Sequence, residues 1–368
     1  MQFNFHCPTK IFFGLGAINT NKSALSKMGQ KAIIVTGGSS SKVNKSLEDM
    51  MSALNSEGID YKVFDQVEQN PSLSTVYAGA KIASEFGADF IIGIGGGSPL
   101  DAAKAVAVLA TNDLSQQDLM AKKWVTQPLP IVAVPTTAGT GSEVTPYAVL
   151  TVDWAETKMS ISGDELFPAI AFLDPRYTIN LPWHITINTA IDALSHSIEG
   201  FISKRATVFS DLLALESISI IGQLLQTMNE DNVSLSEREE LLYASMLAGI
   251  VIAQTGTNVI HSLGYPLTYY KKLPHGLANG VLLKAALIFM SKESPEKVES
   301  LLHAMDCTNI EEFGQLLTKV QPAGDLKLTI EEQQLFVQKT LATKNIANCP
   351  ATPSEQDLYD ILNNSNLV

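Results

Sequence analysis

Cysteine and basic residues are scarce in this 368-residue sequence, which contains only three cysteines. Cys7, Cys307 and Cys349 lie far apart and are odd in number. This argues against a disulfide framework and predicts a reducing, cytoplasmic environment. No Cys-x-x-Cys pair is offered for a thiolate metal site. Lysine and arginine total 25 against 38 acidic residues, a formal net charge of −13. Nucleic acid is therefore not expected as a partner, because phosphate binding needs a basic surface.

Long apolar runs are also missing. The best candidate, residues 281–290, contains Lys284 and is too short to span a bilayer, so no membrane association is expected. The first residues do not place a charged segment before an apolar stretch, so we expect no signal peptide. With 45% hydrophobic and 17% charged residues, the composition is that of a folded protein. The length favours two domains.

The first half of the chain alternates between strand-like and helix-like segments. Apolar, β-branched runs lie at residues 31–38, 61–67, 89–97 and 129–137. Helical stretches such as 44–58 and 72–87 lie between them. This alternation predicts an α/β fold with a parallel, Rossmann-like sheet, in which ligands bind at the carboxyl ends of the strands.

The second half is predicted to be helical. Residues 208–228, 235–253 and 330–342 repeat apolar side chains every three or four positions. We therefore expect an α/β dinucleotide-binding domain at residues 1–182 and an all-α metal-binding domain at residues 183–368.

Two glycine-containing loops each follow a predicted strand. In GGGSPLDAAK (95–104) the glycines would let a phosphate approach the backbone, and the following helix would direct its amide dipoles at the anion. The segment PTTAGTGSE (135–143) places hydroxyl groups at the next strand end. Each loop alone also fits an ordinary strand–helix turn or a self-capping loop. Two such loops on one sheet favour a dinucleotide.

Three of the six histidines fall in one stretch of the helical half. Asp192 and His196 are four residues apart on a predicted helix and share one face. His261 and His275 follow later in the chain. One carboxylate and three imidazoles suit Fe²⁺ or Zn²⁺. For any one of these residues an ion pair or a helix-start position is an equally good interpretation, but the set favours a metal.

These motifs together resemble those of iron-containing (group III) alcohol dehydrogenases. The similar segments are DALSHSIEG (192–200), HSLGYPL (261–267), LPHG (273–276) and the two loops, together with PTKIFFGLGA (8–17) and NCPATPSEQDLYDIL (348–362). They occur in order and cover essentially the whole chain.

The resemblance implies a metal-dependent, NAD(P)-linked enzyme that interconverts a small alcohol and its aldehyde or ketone. It implies four metal ligands, Asp192, His196, His261 and His275, and favours Fe²⁺ over Zn²⁺ as the bound ion. The implied cofactor-contacting residues are Asn70, Gly96, Gly97, Ser98, Thr136, Thr137, Thr140 and Lys158, and the two loops add Gly95, Asp101 and Thr145 as candidates. Gly37, Ser39 and Ser41, which follow the first dinucleotide-domain strand, are further candidate cofactor contacts, although they depart from the family pattern. By family position, the substrate pocket would include Tyr147, Ile252, Thr257 and Tyr265, each of which core packing also explains. Such enzymes are usually homodimers or larger homo-oligomers.

Two departures from the family pattern matter. Many relatives carry an aspartate after the first dinucleotide-domain strand, where this chain has Gly37, with Ser39, Ser41 and Lys42 nearby. Without that carboxylate a 2′-phosphate is not repelled, which favours NADP(H) over NAD(H). Many relatives also have a histidine four residues after the equivalent of His261, where this chain has Tyr265.

Other activities are also compatible with these motifs. Glycerol dehydrogenase-like or maleylacetate reductase-like enzymes share the fold, although the Asp plus three His set favours the alcohol dehydrogenase branch. A dehydroquinate synthase-like lyase fits less well, because no arginine or lysine cluster accompanies the metal motifs. A non-enzymatic protein that binds metal and nucleotide is the remaining alternative.

Overall fold

The computed structural model describes residues 2–322, 324, 326–365 and 367. The chain divides into two compact units. One comprises Cys7–Leu181 and Ser234–Leu242, and is called the α/β unit below. The other comprises Met1–His6, Pro182–Val233 and Tyr243–Val368, and is called the helical unit. The outer limits of the two predicted domains, residues 1 and 368, lie outside the described residues.

A six-stranded parallel sheet forms the centre of the α/β unit. The strands of this unit are β1 (Lys10–Phe13), β2 (Lys31–Gly37), β3 (Asp60–Val67), β4 (Phe90–Gly95), β5 (Ile131–Pro135), β6 (Tyr147–Val152), β7 (Thr157–Ser162) and β8 (Ile170–Leu173). The sheet order is β1-β8-β5-β4-β2-β3, and its paired strands are parallel. Strands β6 and β7 form a separate antiparallel pair. The predicted parallel sheet is therefore confirmed, whereas β1, β8 and the β6–β7 pair were not predicted.

Both faces of the sheet are buried. Neighbouring residues of a strand point to opposite faces, so a central strand contributes side chains to two apolar clusters. On β2, Ile33 belongs to one apolar cluster and Ile34 to the other. On β4, Ile91 and Ile92 divide in the same way. Helices cover the two faces, which explains why the central strands are continuous apolar runs and not alternating ones.

Residues 17–201 form seven α-helices. They are α1 (Ala17–Thr20), α2 (Ser40–Val43), α3 (Ser46–Ser56), α4 (Leu73–Phe86), α5 (Gly97–Leu109), α6 (Gln116–Met120) and α7 (Trp183–Phe201). The later helices are α8 (Val208–Thr227), α9 (Leu235–Thr255), α10 (Val259–Tyr270), α11 (His275–Ser291), α12 (Pro295–Ala304), α13 (Ile310–Val320), α14 (Ile330–Leu341) and α15 (Glu355–Asn364). The predicted helical second half is confirmed.

Helix α8 is long and apolar enough, by length and composition, to cross a membrane. Burial within the protein covers 44% of its most apolar window. Core helices of soluble proteins meet the same criteria, so the helix alone is weak evidence for a membrane span.

The sheet order places the two glycine loops side by side. Strands β4 and β5 are neighbours and run in the same direction, and each ends where one of the loops begins. The loops therefore meet at the carboxyl edge of the sheet, where ligands of doubly wound folds bind.

Candidate metal centre and dinucleotide loops

Helix α7 places Asp192 and His196 one turn apart. Both side chains are buried, with 4% and 5% exposure, because the helix is surrounded by other helices of its unit. Such burial is uncommon for a carboxylate unless it is paired or binds a metal. The two residues therefore occupy positions suited to a ligand pair.

His261 and His275 lie at the starts of two later helices. His261 is in the first turn of α10, whose amino end is capped by the Asn258 side chain. His275 is the first residue of α11, directly after Pro274. A Cβ atom on Gly276 would lie only 1.7 Å from the Asn188 carbonyl oxygen on α7. Only glycine therefore allows α11 to begin so close to α7.

The ligand atoms of these helices converge. Asp192 Oδ1 lies 3.6 Å from His261 Nε2 and 3.8 Å from His275 Nε2. One ligand atom from each of the three residues lies within 4.8 Å of the other two. Ligands about 2.1 Å from a tetrahedral ion are themselves about 3.4 Å apart. The donor set and its spacing thus fit one divalent cation.

His196 adjoins this group through its ring. The imidazoles of His196 and His261 stack with centroids 4.6 Å apart and an interplanar angle of 15°. The structure therefore brings the ligand atoms of three proposed ligands together and places the ring of the fourth, His196, against one of them.

The electrostatics of the cluster are strongly coupled. Burial alone would raise the pKa of Asp192, but the facing histidines lower it well below its usual range. Burial would lower the pKa of His261, but the Glu199 carboxylate and Asp192 raise it to about 9. The cluster therefore favours positive charge beside its carboxylates. A metal ion would take the place of a proton here.

Two buried polar residues behind the cluster were not singled out from the sequence. The Glu199 carboxylate contacts His261 Nδ1, and the Asn279 amide nitrogen donates to Asp192 Oδ1 at 2.9 Å. Glu199 could have been noticed, because positions 192, 196 and 199 share one helix face at spacings of four and three. Asn279 follows His275 by one turn and could have been noticed in the same way.

The two glycine loops of the α/β unit touch each other directly. A Cβ on Gly96 would lie 3.2 Å from the Thr137 side chain, and one on Gly97 would lie 2.8 Å from Thr140 Cγ2. The Thr136 amide donates to the Gly95 carbonyl at 2.9 Å. Gly95 itself has φ +149°, a conformation that L side chains rarely adopt. These glycines are needed for the close approach of the loops.

A third segment joins them through Asn70. The Asn70 backbone N–H donates to Ser98 Oγ at 3.0 Å, and Thr151 Oγ1 donates to the Asn70 backbone carbonyl at 2.8 Å. Thr151 pairs with Lys158 across the β6–β7 ladder. Asn70, Ser98 and Lys158, proposed as cofactor contacts from separate parts of the sequence, are thereby connected in one region.

The buried Lys104 side chain stabilises this region through hydrogen bonds, a role that the sequence did not indicate. Its fully buried ammonium donates to Ser142 Oγ at 2.7 Å, the Thr145 carbonyl at 2.9 Å and the Tyr147 carbonyl at 2.7 Å. Burial lowers the pKa of Lys104 to about 8, against the opposing effect of the nearby carboxylates. Lys104 thus ties α5 to the end of the 136–145 loop.

Two carboxylates share the surroundings of Lys104. Asp101 accepts hydrogen bonds from Ser142 Oγ at 2.7 Å and from the Val149 amide at 2.9 Å. Burial raises the pKa of Asp101. Glu143 is 1% exposed, and burial raises its pKa to about 7. Asp101, proposed from the sequence as a cofactor contact, therefore has partners within the protein.

The segment after β2 only partly matches the sequence hypothesis for the 2′-phosphate. Ser41 is fully buried and its hydroxyl contacts Thr36 Oγ1 at 2.9 Å, so it is not presented to a ligand. Ser39 is exposed. Lys42 forms a 2.8 Å ion pair with Asp65, and both are about half exposed. The burial of Ser41 follows from its position in the short helix α2, which the sequence did not predict.

The proposed pocket residues divide between the two units. Tyr147 lies on β6, whereas Ile252, Thr257 and Tyr265 belong to the helical unit. The Tyr265 ring stacks on the His275 ring, with centroids 5.7 Å apart and an interplanar angle of 9°. Tyr265 is therefore the pocket candidate whose ring directly meets a proposed metal ligand.

Comparison with known proteins gives matches over both halves of the chain. The iron-containing alcohol dehydrogenase profile matches residues 8–175, and the profile for the C-terminal part of the Fe-containing alcohol dehydrogenase family matches residues 186–366. A crystal structure of an iron-containing alcohol dehydrogenase from Thermotoga maritima is similar, with a TM-score of 0.92 at 40% identity, covering all of both chains.

Two curated relatives show the range of coenzyme use among similar proteins. The NAD-dependent methanol dehydrogenase of Bacillus methanolicus is 32% identical, over 76% of this chain and 73% of its own length. The NADPH-dependent butanol dehydrogenase of Clostridium saccharobutylicum is 28% identical, over 98% of this chain and 88% of its own length.

Proposed function

The chain belongs to the iron-containing alcohol dehydrogenase family and is an NAD(P)-linked oxidoreductase acting on CH–OH groups, and from this premise we propose the residues and the coenzyme that it uses. In our proposal Asp192, His196, His261 and His275 bind one divalent cation, Fe²⁺ in preference to Zn²⁺. The substrate is a small alcohol or its aldehyde or ketone.

One observation carries the metal proposal. Three ligand atoms from three different helices lie within 4.8 Å of one another in a buried setting. The fourth candidate, His196, stacks on one of the three. A carboxylate and imidazoles without thiolate suit Fe²⁺ or Zn²⁺.

The protein residues contribute orientation and charge. When bound, the cation supplies a Lewis acid for the substrate oxygen, and the nicotinamide donates or accepts the hydride. Asp192 contributes the negative charge of the ligand set, and the Asn279 amide holds one of its oxygens. The glycine loops offer the amino end of α5 to the pyrophosphate.

We propose that NADP(H) is preferred over NAD(H). Gly37 places no carboxylate after β2, and exposed Ser39 and the Lys42 ammonium lie close by in sequence. We expect a higher kcat/KM with NADPH than with NADH, and we expect Gly37→Asp to move the ratio towards NADH. A Cβ at this position would lie 3.2 Å from the Val67 carbonyl, so Gly37→Ala is the matched steric control. Equal or higher kcat/KM with NADH in the wild type would contradict the proposal.

We also propose that the protein is a homo-oligomer. The helical unit exposes a group of apolar side chains: Phe3, Phe5, Val208, Phe209 and Leu212, which are 38–63% exposed. Phe5 and Phe209 are in contact, with ring centroids 4.6 Å apart. Exposed apolar clusters of this kind are typical of interaction surfaces. Light scattering after size exclusion measures the state, and a monomer at micromolar concentration would contradict the proposal.

Activity and metal dependence are tested together. The purified protein is stripped with a chelator, then assayed for reduction of a panel of short aldehydes with NADPH and NADH, before and after adding Fe²⁺ anaerobically or Zn²⁺. We expect loss of turnover on stripping and recovery on adding metal. Full turnover in verifiably metal-free protein would contradict the metal proposal, whereas no turnover with any aldehyde would contradict the substrate class.

A further inference from the structure

Glu199 is a carboxylate with no exposed surface. It lies on α7, seven residues after Asp192, and both of its oxygens are used. Oε1 accepts from the Ile260 amide at 2.6 Å and from the His261 amide at 3.2 Å. Oε2 lies 2.5 Å from His261 Nδ1. A buried carboxylate is costly unless it is hydrogen-bonded in this way.

The contact with His261 determines where that imidazole carries its proton. An ionised carboxylate can only accept hydrogen bonds, so Nδ1 must carry the hydrogen that Oε2 receives. A histidine that binds a metal does so as a neutral imidazole with one N–H, and its other nitrogen presents the lone pair. For His261 that nitrogen is Nε2, the atom 3.6 Å from Asp192 Oδ1.

We propose that Glu199 is a positioning residue that fixes His261 in the tautomer able to bind the cation through Nε2. This inference rests on the metal site proposed above. Partners behind metal-bound histidines generally set both the tautomer and the ring orientation. Here the partner is a fully buried carboxyl group on the same helix as Asp192 and His196.

His275 provides an internal contrast. Its Nδ1 lies 3.3 Å from Thr268 Oγ1, and a hydroxyl group can either donate or accept. The contact therefore leaves the tautomer of His275 undetermined. His275 is also more exposed, at 27% of its side chain, whereas His261 is at 2%. The partner of buried His261 thus allows one tautomer, whereas the partner of His275 allows both.

The substitution Glu199→Gln separates the effect on the His261 tautomer from the hydrogen bonds that Glu199 accepts at the amino end of α10. Two backbone N–H groups point at the Oε1 position, so the amide oxygen of glutamine must occupy it. The amide NH₂ group then faces His261 Nδ1 and makes that nitrogen an acceptor. The neutral ring must carry its hydrogen on Nε2, which removes the ligand lone pair. The cap of α10 is retained while the metal-binding tautomer is lost.

The test compares metal affinity and fold stability in three proteins: the wild type, Glu199→Gln and Glu216→Gln. Glu216 is exposed on α8 of the same unit and gives the same chemical change at an uninvolved position. Chelator-stripped proteins are titrated with Co²⁺, followed by its visible absorption, and their thermal unfolding is recorded without metal. We expect about a 10–100-fold weaker affinity for Glu199→Gln, with unfolding close to that of the control.

Nitrogen NMR of the wild type gives a second measurement that does not depend on the variant folding. Histidine is labelled with ¹⁵N and the protein is loaded with Zn²⁺. We expect His261 to be coordinated through Nε2, with a slowly exchanging Nδ1–H. Coordination through Nδ1 would overturn the inference, as would Co²⁺ affinity of Glu199→Gln within twofold of the wild type. A wild type that binds neither metal would instead overturn the proposed metal site.

Discussion

Each unit of the chain buries a cluster of charged side chains, and the two clusters differ in where their positive charge comes from. In the α/β unit, Lys104 supplies a cation to Asp101 and Glu143, and its three donors have acceptors within the protein. In the helical unit, Asp192 and Glu199 face histidines, whose charge depends on a proton.

The difference indicates which cluster is complete in itself. Lys104 makes all of its hydrogen bonds within the protein, so its cluster needs no further cation. We therefore expect this cluster to stabilise the dinucleotide loops. In the helical unit, the ligand atoms of Asp192, His261 and His275 converge, so this cluster is suited to binding a metal ion from solution. Breaking the first cluster should therefore affect stability, and breaking the second should affect metal binding and turnover.

The largest effect is expected for His261→Ala. If His261 is a ligand as proposed, its removal should weaken a site whose cation would contribute several kcal/mol to the transition state, so turnover should fall on the order of 10³-fold. Bound metal, measured by mass spectrometry, should also fall, whereas NADPH affinity should stay within about threefold, which is about half of the 1.4 kcal/mol that a tenfold change represents. His303→Ala, at an exposed position on α12, is the control. Full metal content in the variant would show that the ligand assignment is wrong.

The converse variant is Lys104→Met. Removing one partner of a buried charged pair typically costs about 3–5 kcal/mol, because Asp101 loses its neighbouring cation, 4.0 Å away, and the loop carbonyls lose their donor. We expect a loss of unfolding free energy of that order, by urea denaturation, with metal content unchanged. Lys81→Met, which alters an exposed lysine on α4, should change stability little. A stable Lys104→Met protein would show that the cluster is not a support.

Glu143→Gln should change the pH dependence of stability. The pKa of Glu143 is raised to about 7 in the folded protein, from 4.5. Between these values the folded state binds more protons than the unfolded state, so this group makes stability fall as pH rises. Relative to the wild type, Glu143→Gln should therefore gain stability from pH 4.5 to pH 7, on the order of 1–3 kcal/mol. A difference that does not vary with pH would contradict this assignment.

The smallest effect is expected for Tyr265→Phe. The ring that stacks on His275 is kept, and a phenol with a pKa near 10 is a poor proton carrier at neutral pH. Metal content should be unchanged, with Co²⁺ affinity within about twofold, less than the 10–100-fold typical of an essential supporting residue. Loss of the metal would identify Tyr265 as part of the ligand set.

Sequence periodicity was sufficient where a feature lies within one helix or strand. The spacing of Asp192 and His196 predicted a shared helix face, and the four short β-branched runs predicted four of the six strands of the sheet. The four-residue strands β1 and β8 carry too short a pattern to be predicted. The β6–β7 pair lies in a segment with mixed signals.

Features that depend on tertiary packing could not be obtained in this way. The approach of α11 to α7 depends on Gly276 meeting the Asn188 backbone, a contact between residues 88 positions apart. The role of Lys104 depends on carbonyls 41 and 43 residues away. The burial of Ser41 depends on the fold of the segment after β2. The sequence pattern identifies the chemical groups in such cases but not their partners.

The most direct test of the central claim is the stoichiometry of activation. Chelator-stripped wild type and Asp192→Asn are titrated with Fe²⁺ under anaerobic conditions, and bound metal and aldehyde reduction are measured at each step. We predict that wild-type activity rises in proportion to bound metal and saturates at one ion per chain, while Asp192→Asn binds weakly and stays inactive. Wild-type activity independent of bound metal, or an Asp192→Asn protein that is activated like the wild type, would contradict the account.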